Sequence, residues 1–278
     1  MADIFEELKS LGFNNLDKVE IFASEEKEKT TEGSSKLAVV SLESILYDKT
    51  YICPVCDKVF TSKAIRSGRN RLMTVDTDLK PQYDIVNPIL YECIVCSHCG
   101  YAALGKAFSS ILPKQILWIK EQICAQYKDQ NYPDVISNKD AIERYKLALL
   151  NAMVKKARDG EKAYLCLKIA WLYRDTGNSE QEKIFLEYAL TGFLNAYNKE
   201  RFPIYELEEL TTAYIIGDLY RRFEEYDKAM QWVGYVILDK RVTLKLKTRA
   251  LHLKSLIREE KNHKLEGKST PNKKSSIQ

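Results

Sequence analysis

Apolar positions fall into two regimes along this chain. From about residue 104 to residue 260 they recur every three or four residues, the period of a helix with one buried face. Pro113 can open the first such helix, which carries Ile116, Ile119, Ile123 and Tyr127 on one side. A second begins with Ala141, Tyr145, Ala148 and Ala152 and ends at "ARDG", near Gly160. Cys166, Ile169, Ala170 and Tyr173 line a third, which stops at "DTGN", and Ile184, Tyr188 and Phe193 continue the pattern after that turn. Pro203 is expected to open a further helix through Leu210, Ala213, Tyr214, Gly217 and Tyr220. "FEEYDKA" turns into one with Val233 and Val236, and a last helix is expected to run through Leu244, Leu251 and Leu256.

Residues 50–103 follow the other regime. "KVFTSKAI" and "ILYECIV" are rich in β-branched and aromatic residues and predict short strands, while "RSGRN" and "LKPQYDIVNP" supply turn residues between them. Upstream, Ile4, Phe5, Leu8 and Leu11 have helical spacing ahead of Gly12, and residues 24–36 contain no apolar side chain. The organisation expected is an N-terminal amphipathic segment at 1–23, a flexible linker at 24–36, a zinc-ribbon module at 37–103, a tetratricopeptide-like helical domain at 104–260 and a disordered basic tail at 261–278. The fold class is α+β and mostly α: a small β module followed by an antiparallel helical array.

Composition narrows the picture little. The 278 residues carry 43 basic and 39 acidic side chains, and a net charge of +4 does not by itself call for nucleic acid. No apolar run approaches the ~18 residues of a membrane span, and the acidic start "MADIFEELKS" is unlike a signal peptide, so the expectation is a cytoplasmic chain without membrane insertion. In that compartment thiols stay reduced, and clustered cysteines read as metal ligands before disulfides.

Five of the seven cysteines lie between residues 53 and 99; Cys124 and Cys166 stand apart. Two residues between cysteines let one tight turn present both sulfurs to one ion, and a following glycine accommodates that turn. Cys96-x-x-Cys99-Gly100 has this form; Cys93-x-x-Cys96-Ser97 does not. The opening knuckle is Cys53-Pro54-Val55-Cys56, followed by Asp57. The expected ligands of one structural Zn²⁺ are therefore Cys53, Cys56, Cys96 and Cys99, with Cys93 as an alternative ligand. His98 adjoins Cys99 too closely for both side chains to converge on one ion. A catalytic zinc would want three protein ligands and an open position, and the chain's three histidines leave most hydrolytic sites without material. A metal-dependent or thiol enzyme is the least favoured class, since no recognisable catalytic constellation accompanies the cysteines.

The spacer between the knuckles is basic. Residues 58–80 hold Lys58, Lys63, Arg66, Arg69, Arg71 and Lys80 against Asp76 and Asp78. Arg66, Arg69 and Arg71 around Gly68 can grip phosphate on an exposed turn, so nucleic-acid contact is an alternative function. The competing reading is that these cations balance a doubly negative Zn(Cys)4 centre. Asp76 and Asp78 are expected to pair with those arginines.

The helical half carries hints of a repeat. Gly217, Tyr220, Tyr226 and Ala229 fit the tetratricopeptide spacing, as do Ala170, Tyr173, Gly177 and Ala189, although Glu182 stands where a small residue is usual. Tyr173 to Tyr220 spans 47 residues against the usual ~34, so the helices or turns must be longer. Helix pairs of this kind build a curved surface suited to protein partners.

Taken together, Cys53-Pro54-Val55-Cys56, then Asp76-Thr77-Asp78, Tyr83, Asn87-Pro88 and Tyr91, and finally Val95-Cys96-Ser97-His98-Cys99-Gly100-Tyr101-Ala102 resemble an uncharacterised bacterial family, domain of unknown function 2225, over roughly residues 50–250. The resemblance implies a zinc ribbon fused to tetratricopeptide-like helices, with no assigned activity. Asp57, where that family favours glycine, and Cys93, outside its pattern, are departures. The function expected is a non-enzymatic adaptor or scaffold with a structural zinc and a protein-binding helical surface.

Overall fold

A computed structural model describes residues 45–268 and Gly12. The segments expected at 1–23 (Gly12 aside) and 24–36, and residues 269–278 of the tail, lie outside the described residues. The chain is mostly α with a small β module, as its periodicity indicates. It divides into two compact units.

In the first unit, of described residues up to Asp76 together with Lys80–Glu200, the strands pair as antiparallel hairpins. β1 (Leu46–Ile52) pairs with β2 (Val59–Ile65), β3 (Leu72–Val75) with β4 (Pro81–Tyr83), and β5 (Cys93–Val95) with β6 (Ala102–Leu104). The expected strand "ILYECIV" is half right. Ile89–Glu92 form a single helical turn, α1, and the Asn87 carboxamide oxygen just before it accepts the Ile89 N–H at 3.1 Å, an Asx-type bond that competes with extended pairing. Only Cys93–Val95 are extended.

Helices follow: α2 (Gly105–Phe108), then α3 (Pro113–Ile119), which Pro113 opens as expected and which continues into a π-helical turn at Lys120–Cys124. α4 (Asn138–Val154) starts at a Ser137–Asp140 capping box. α5 (Asp159–Asp175) and α6 (Ser179–Lys199) form a helical hairpin across a turn where Gly177 has φ +73°. Ala141, Tyr145, Ala148 and Ala152 of α4, with Cys166, Ile169, Ala170 and Tyr173 of α5, are all buried, so these two stripes read from the sequence lie in the core.

The second unit comprises Thr77–Leu79 and residues from Arg201 on. Its first helix, α7, spans Glu209–Arg222 and does not start at Pro203. Ile204 and Leu207 exchange both backbone hydrogen bonds at 2.9 Å, which closes a tight turn and postpones the helix. α7 and α8 (Tyr226–Leu238) form a hairpin whose turn residue Glu224 has φ +59°. They pack closely at Gly217: a methyl there would sit 2.7 Å from Val233 Cγ2.

The last helix, α9 (Leu244–Lys268), buries Ala250, Leu253 and Ile257 rather than the expected stripe. Leu244 is 82% and Leu251 48% exposed. It also outruns residue 260, so residues 261–268 of the expected disordered tail are helical. Lys261 pairs with Asp227 and Lys264 with Glu224, which gives those basic residues acids to neutralise.

Candidate metal centre

Two hairpin turns carry the four cysteines, and they are built alike. Beyond the Ile52–Val59 pair of β1 and β2, residues 53–58 form the first turn; beyond the Val95–Ala102 pair of β5 and β6, residues 96–101 form the second. In the first, Cys53 N–H donates to Lys58 O at 3.0 Å and Asp57 N–H to Cys53 O at 2.9 Å. In the second, Cys96 N–H donates to Tyr101 O at 2.9 Å and Gly100 N–H to Cys96 O at 3.0 Å. The residue after the second cysteine is left-handed in both, Asp57 at φ +59° and Gly100 at +73°. Asp57 therefore adopts the turn despite its side chain, a conformation aspartate tolerates better than most residues.

The turns face each other. The sulfurs of Cys53, Cys56, Cys96 and Cys99 all lie within 4.8 Å of one another, with Cys53–Cys99 at 3.6 Å and Cys56–Cys96 at 3.7 Å. A disulfide would require about 2.05 Å. Four thiolates about 2.3 Å from a central tetrahedral ion would stand about 3.8 Å apart. The sulfur spacing thus fits a tetrahedral thiolate-bound metal, and the soft donor set favours zinc among the common divalent ions. Val55 N–H points at Cys53 Sγ at 3.5 Å, as backbone donors do around metal-bound thiolates. Hydrogen bonds from Cys53 and Cys99 draw the Cys96 thiol far down, while hydrogen bonding with Cys96 pushes Cys53 up.

Cys93, the alternative ligand, lies outside this group. It is fully buried on β5, its S–H donating to Arg144 O at 3.2 Å, and burial pushes its thiol up to about 12. A thiol held protonated in this way is poorly suited to bind metal. His98 sits on the rim of the second turn, Nδ1 3.9 Å from Asp129. Cys124 comes near the group although no spacing rule links it to the knuckles. It closes the π-helical turn, and a hydrogen bond with Cys99 pulls its thiol down while raising that of Cys99.

Both turns rest on the same unit. Asn151 Nδ2 on α4 donates to Gly100 O at 3.0 Å, and the Tyr127 ring fills the space beside Gly100, so that a Cβ added there would stand 2.4 Å from a ring carbon. Tyr101 is fully buried, donates to Phe108 O at 3.0 Å and joins a ring cluster with Phe108, Phe60 and Tyr51. The expected boundary at residue 104 is thus no physical division: the cysteine turns and α4 share one core.

The basic spacer behaves differently from expectation. Arg66, Arg69 and Arg71 are exposed, Arg66 with its guanidinium over the Tyr47 ring at 5.3 Å; the Arg71 backbone N–H donates to Asp84 at 2.8 Å. Asp76 and Asp78 do not pair with them. Asp76 meets Arg174 at 3.2 Å, within the first unit. In the second unit the buried Asp78 meets Arg222 at 3.4 Å. Arg71 and Asp76 flank opposite ends of β3, which separates them by the length of a strand. Asp218 completes the second-unit cluster. Fully buried, it holds Arg221 and Arg222 at 2.9 and 2.8 Å and accepts from Thr77 Oγ1 at 3.2 Å. Its i,i+3 and i,i+4 spacing to two arginines was the available signal.

The model of the family described as "Uncharacterized protein conserved in bacteria (DUF2225)" matches residues 46–263. The chain belongs to that family, as the resemblance of its motifs indicated. No curated protein and no solved structure matches it.

Proposed function

We propose, from membership of that bacterial family and from the closed set of four thiols, that this chain is a zinc-dependent, non-enzymatic adaptor or scaffold that works in the cytoplasm. The four cysteines hold a structural Zn²⁺, leaving no coordination position for substrate. The helical hairpins act as tetratricopeptide-like elements. In support, Ala170 and Gly217, Tyr173 and Tyr220, and the left-handed turn residues Gly177 and Glu224 each stand 47 positions apart. No helix among the described residues is long and apolar enough to cross a membrane.

The observation that carries the partner-binding reading is on the second unit. Leu238 and Leu244, on either side of the α8–α9 turn, are 83% and 82% exposed. Apolar side chains left in water beside a helical hairpin suit a protein partner. Crosslinking mass spectrometry on the full chain in its native cell tests this. A specific protein crosslinked near α8 and α9, and lost in Leu238→Lys/Leu244→Lys, is expected. An unchanged crosslink map in that variant would overturn it.

A second reading, nucleic-acid contact, is favoured by the solvent-facing position of Arg66, Arg69 and Arg71 around the β2–β3 loop. It predicts salt-dependent binding that weakens when all three become alanine. Unchanged binding in the triple variant would sink it.

A further inference from the structure

Beside the second cysteine turn lies a cleft of about 380 Å³, within the size range of small-molecule sites. Phe60, Val95 and Ile136 give it an apolar side. Arg144 of α4 gives it a charge. Arg144 is only 2% exposed, so its guanidinium is largely desolvated. Nη2 donates to the Cys93 carbonyl and, at 3.4 Å, to Ser62 Oγ; the guanidinium lies over the Tyr132 ring at 5.3 Å. Nε has no hydrogen-bond partner among the described residues. Nor does any carboxylate among them form an ion pair with Arg144, and a buried, uncompensated guanidinium is costly.

The other charges in the cleft are committed. Lys63 Nζ lies 3.0 Å from Asp48 and 3.3 Å from Asp134, a pairing that spends its charge on two acids. The lining therefore sets two cations against two acids, with Arg144 the cation outside any ion pair among the described residues, and its acids repel a second negative charge. That balance suits a monoanion and disfavours a phosphate dianion. A planar guanidinium suits a planar carboxylate.

We propose that this cleft binds a small organic carboxylate with a compact apolar body. Arg144 recognises the carboxylate, and the face of Phe60, Val95 and Ile136 receives the body. Ser97 and His98, at the rim, couple the ligand to the cysteine turn. This role is independent of the adaptor reading.

Benzoate is the probe, titrated into the full-length, zinc-loaded chain by calorimetry and followed by amide shifts at Ser97, His98 and Tyr132. Saturable binding is expected, with neutral benzamide and inorganic phosphate at least roughly tenfold weaker. Because Arg144→Lys disturbs a buried contact, two variants of the Lys63 ion pairs decide the matter. Lys63→Gln leaves Asp48 and Asp134 unbalanced and should weaken benzoate roughly tenfold. Asp134→Asn, whose side chain is 80% exposed, should tighten it severalfold. Absence of binding below about 10 mM, equal binding of benzamide, preference for phosphate, or benzoate affinity unmoved in both variants would each overturn the proposal.

Discussion

Asp57 and Gly100 hold one place in two turns of the same form, each with positive φ and each donating its N–H to the carbonyl of a cysteine four residues earlier. Only one of them is glycine. A left-handed conformation costs an ordinary L-residue about 1–2 kcal/mol, aspartate less. Asp57→Gly is expected to raise the stability of the zinc-loaded chain by up to about 1 kcal/mol. Gly100→Ala adds a clash with the Tyr127 ring to that strain and should cost about 2–3 kcal/mol. Thermal unfolding of both variants checks the asymmetry, and equal effects would contradict it.

The ligand assignment makes a stoichiometric prediction. The chain should carry one equivalent of zinc, retained in Cys93→Ser and Cys124→Ser and lost in Cys96→Ser. Elemental analysis after exhaustive dialysis reads this directly. Loss of zinc in Cys93→Ser with retention in Cys96→Ser would overturn the ligand set, replacing Cys96 by Cys93.

Burial holds the Cys93 thiol near 12, against an ordinary value of 9.0. Below about pH 9 the thiol is protonated folded or unfolded, so its full contribution is present. Between about 9 and 12 the unfolded chain releases the proton and the folded chain does not, so stability is lost as pH rises. Cys93→Ala, less stable than the parent at about pH 8, should close that gap by about 2–3 kcal/mol at about pH 11. Urea midpoints at the two pH values measure it; a constant gap would refute the account.

Asp218 pairs with two arginines and accepts from Thr77, all without exposure of its own carboxylate. Asp218→Asn leaves two cations without their shared partner. A loss of about 3 kcal/mol is expected, seen in urea unfolding and as faster hydrogen exchange along α7. A loss below about 1 kcal/mol would show that Asp78 and Glu260 suffice for Arg222 and Arg221.

Where a short-range rule applies, residues announce their place. Gly100 distinguishes Cys96 and Cys99 from Cys93 because a single φ value decides the turn. The stripe Cys166, Ile169, Ala170 and Tyr173 marks its helix because one period fixes one buried face. Long-range partners are not legible in the same way. Asp76 finds Arg174, Asp78 finds Arg222 and Cys124 comes round to Cys99, and nothing local distinguishes these from nearer candidates. The start of α7 departs from the helix-opening tendency of Pro203 because a paired turn at Ile204 and Leu207 overrides it. On α9 two apolar stripes compete, and the one through Leu253 and Ile257 prevails because tertiary contact, not periodicity, selects between them.

The two cysteine turns are separated by 39 residues, Asp57 to Val95, and one ion would close them into a ring. In chain-entropy terms, a cross-link around a loop of that length removes about 4 kcal/mol of freedom from the unfolded chain. The β3–β4 hairpin lies wholly inside that ring. With zinc as that ion, its free concentration would be a thermodynamic variable of the fold, each tenfold rise above the dissociation constant adding about 1.4 kcal/mol, so that supply of the ion as well as sequence would set how much of the chain is folded.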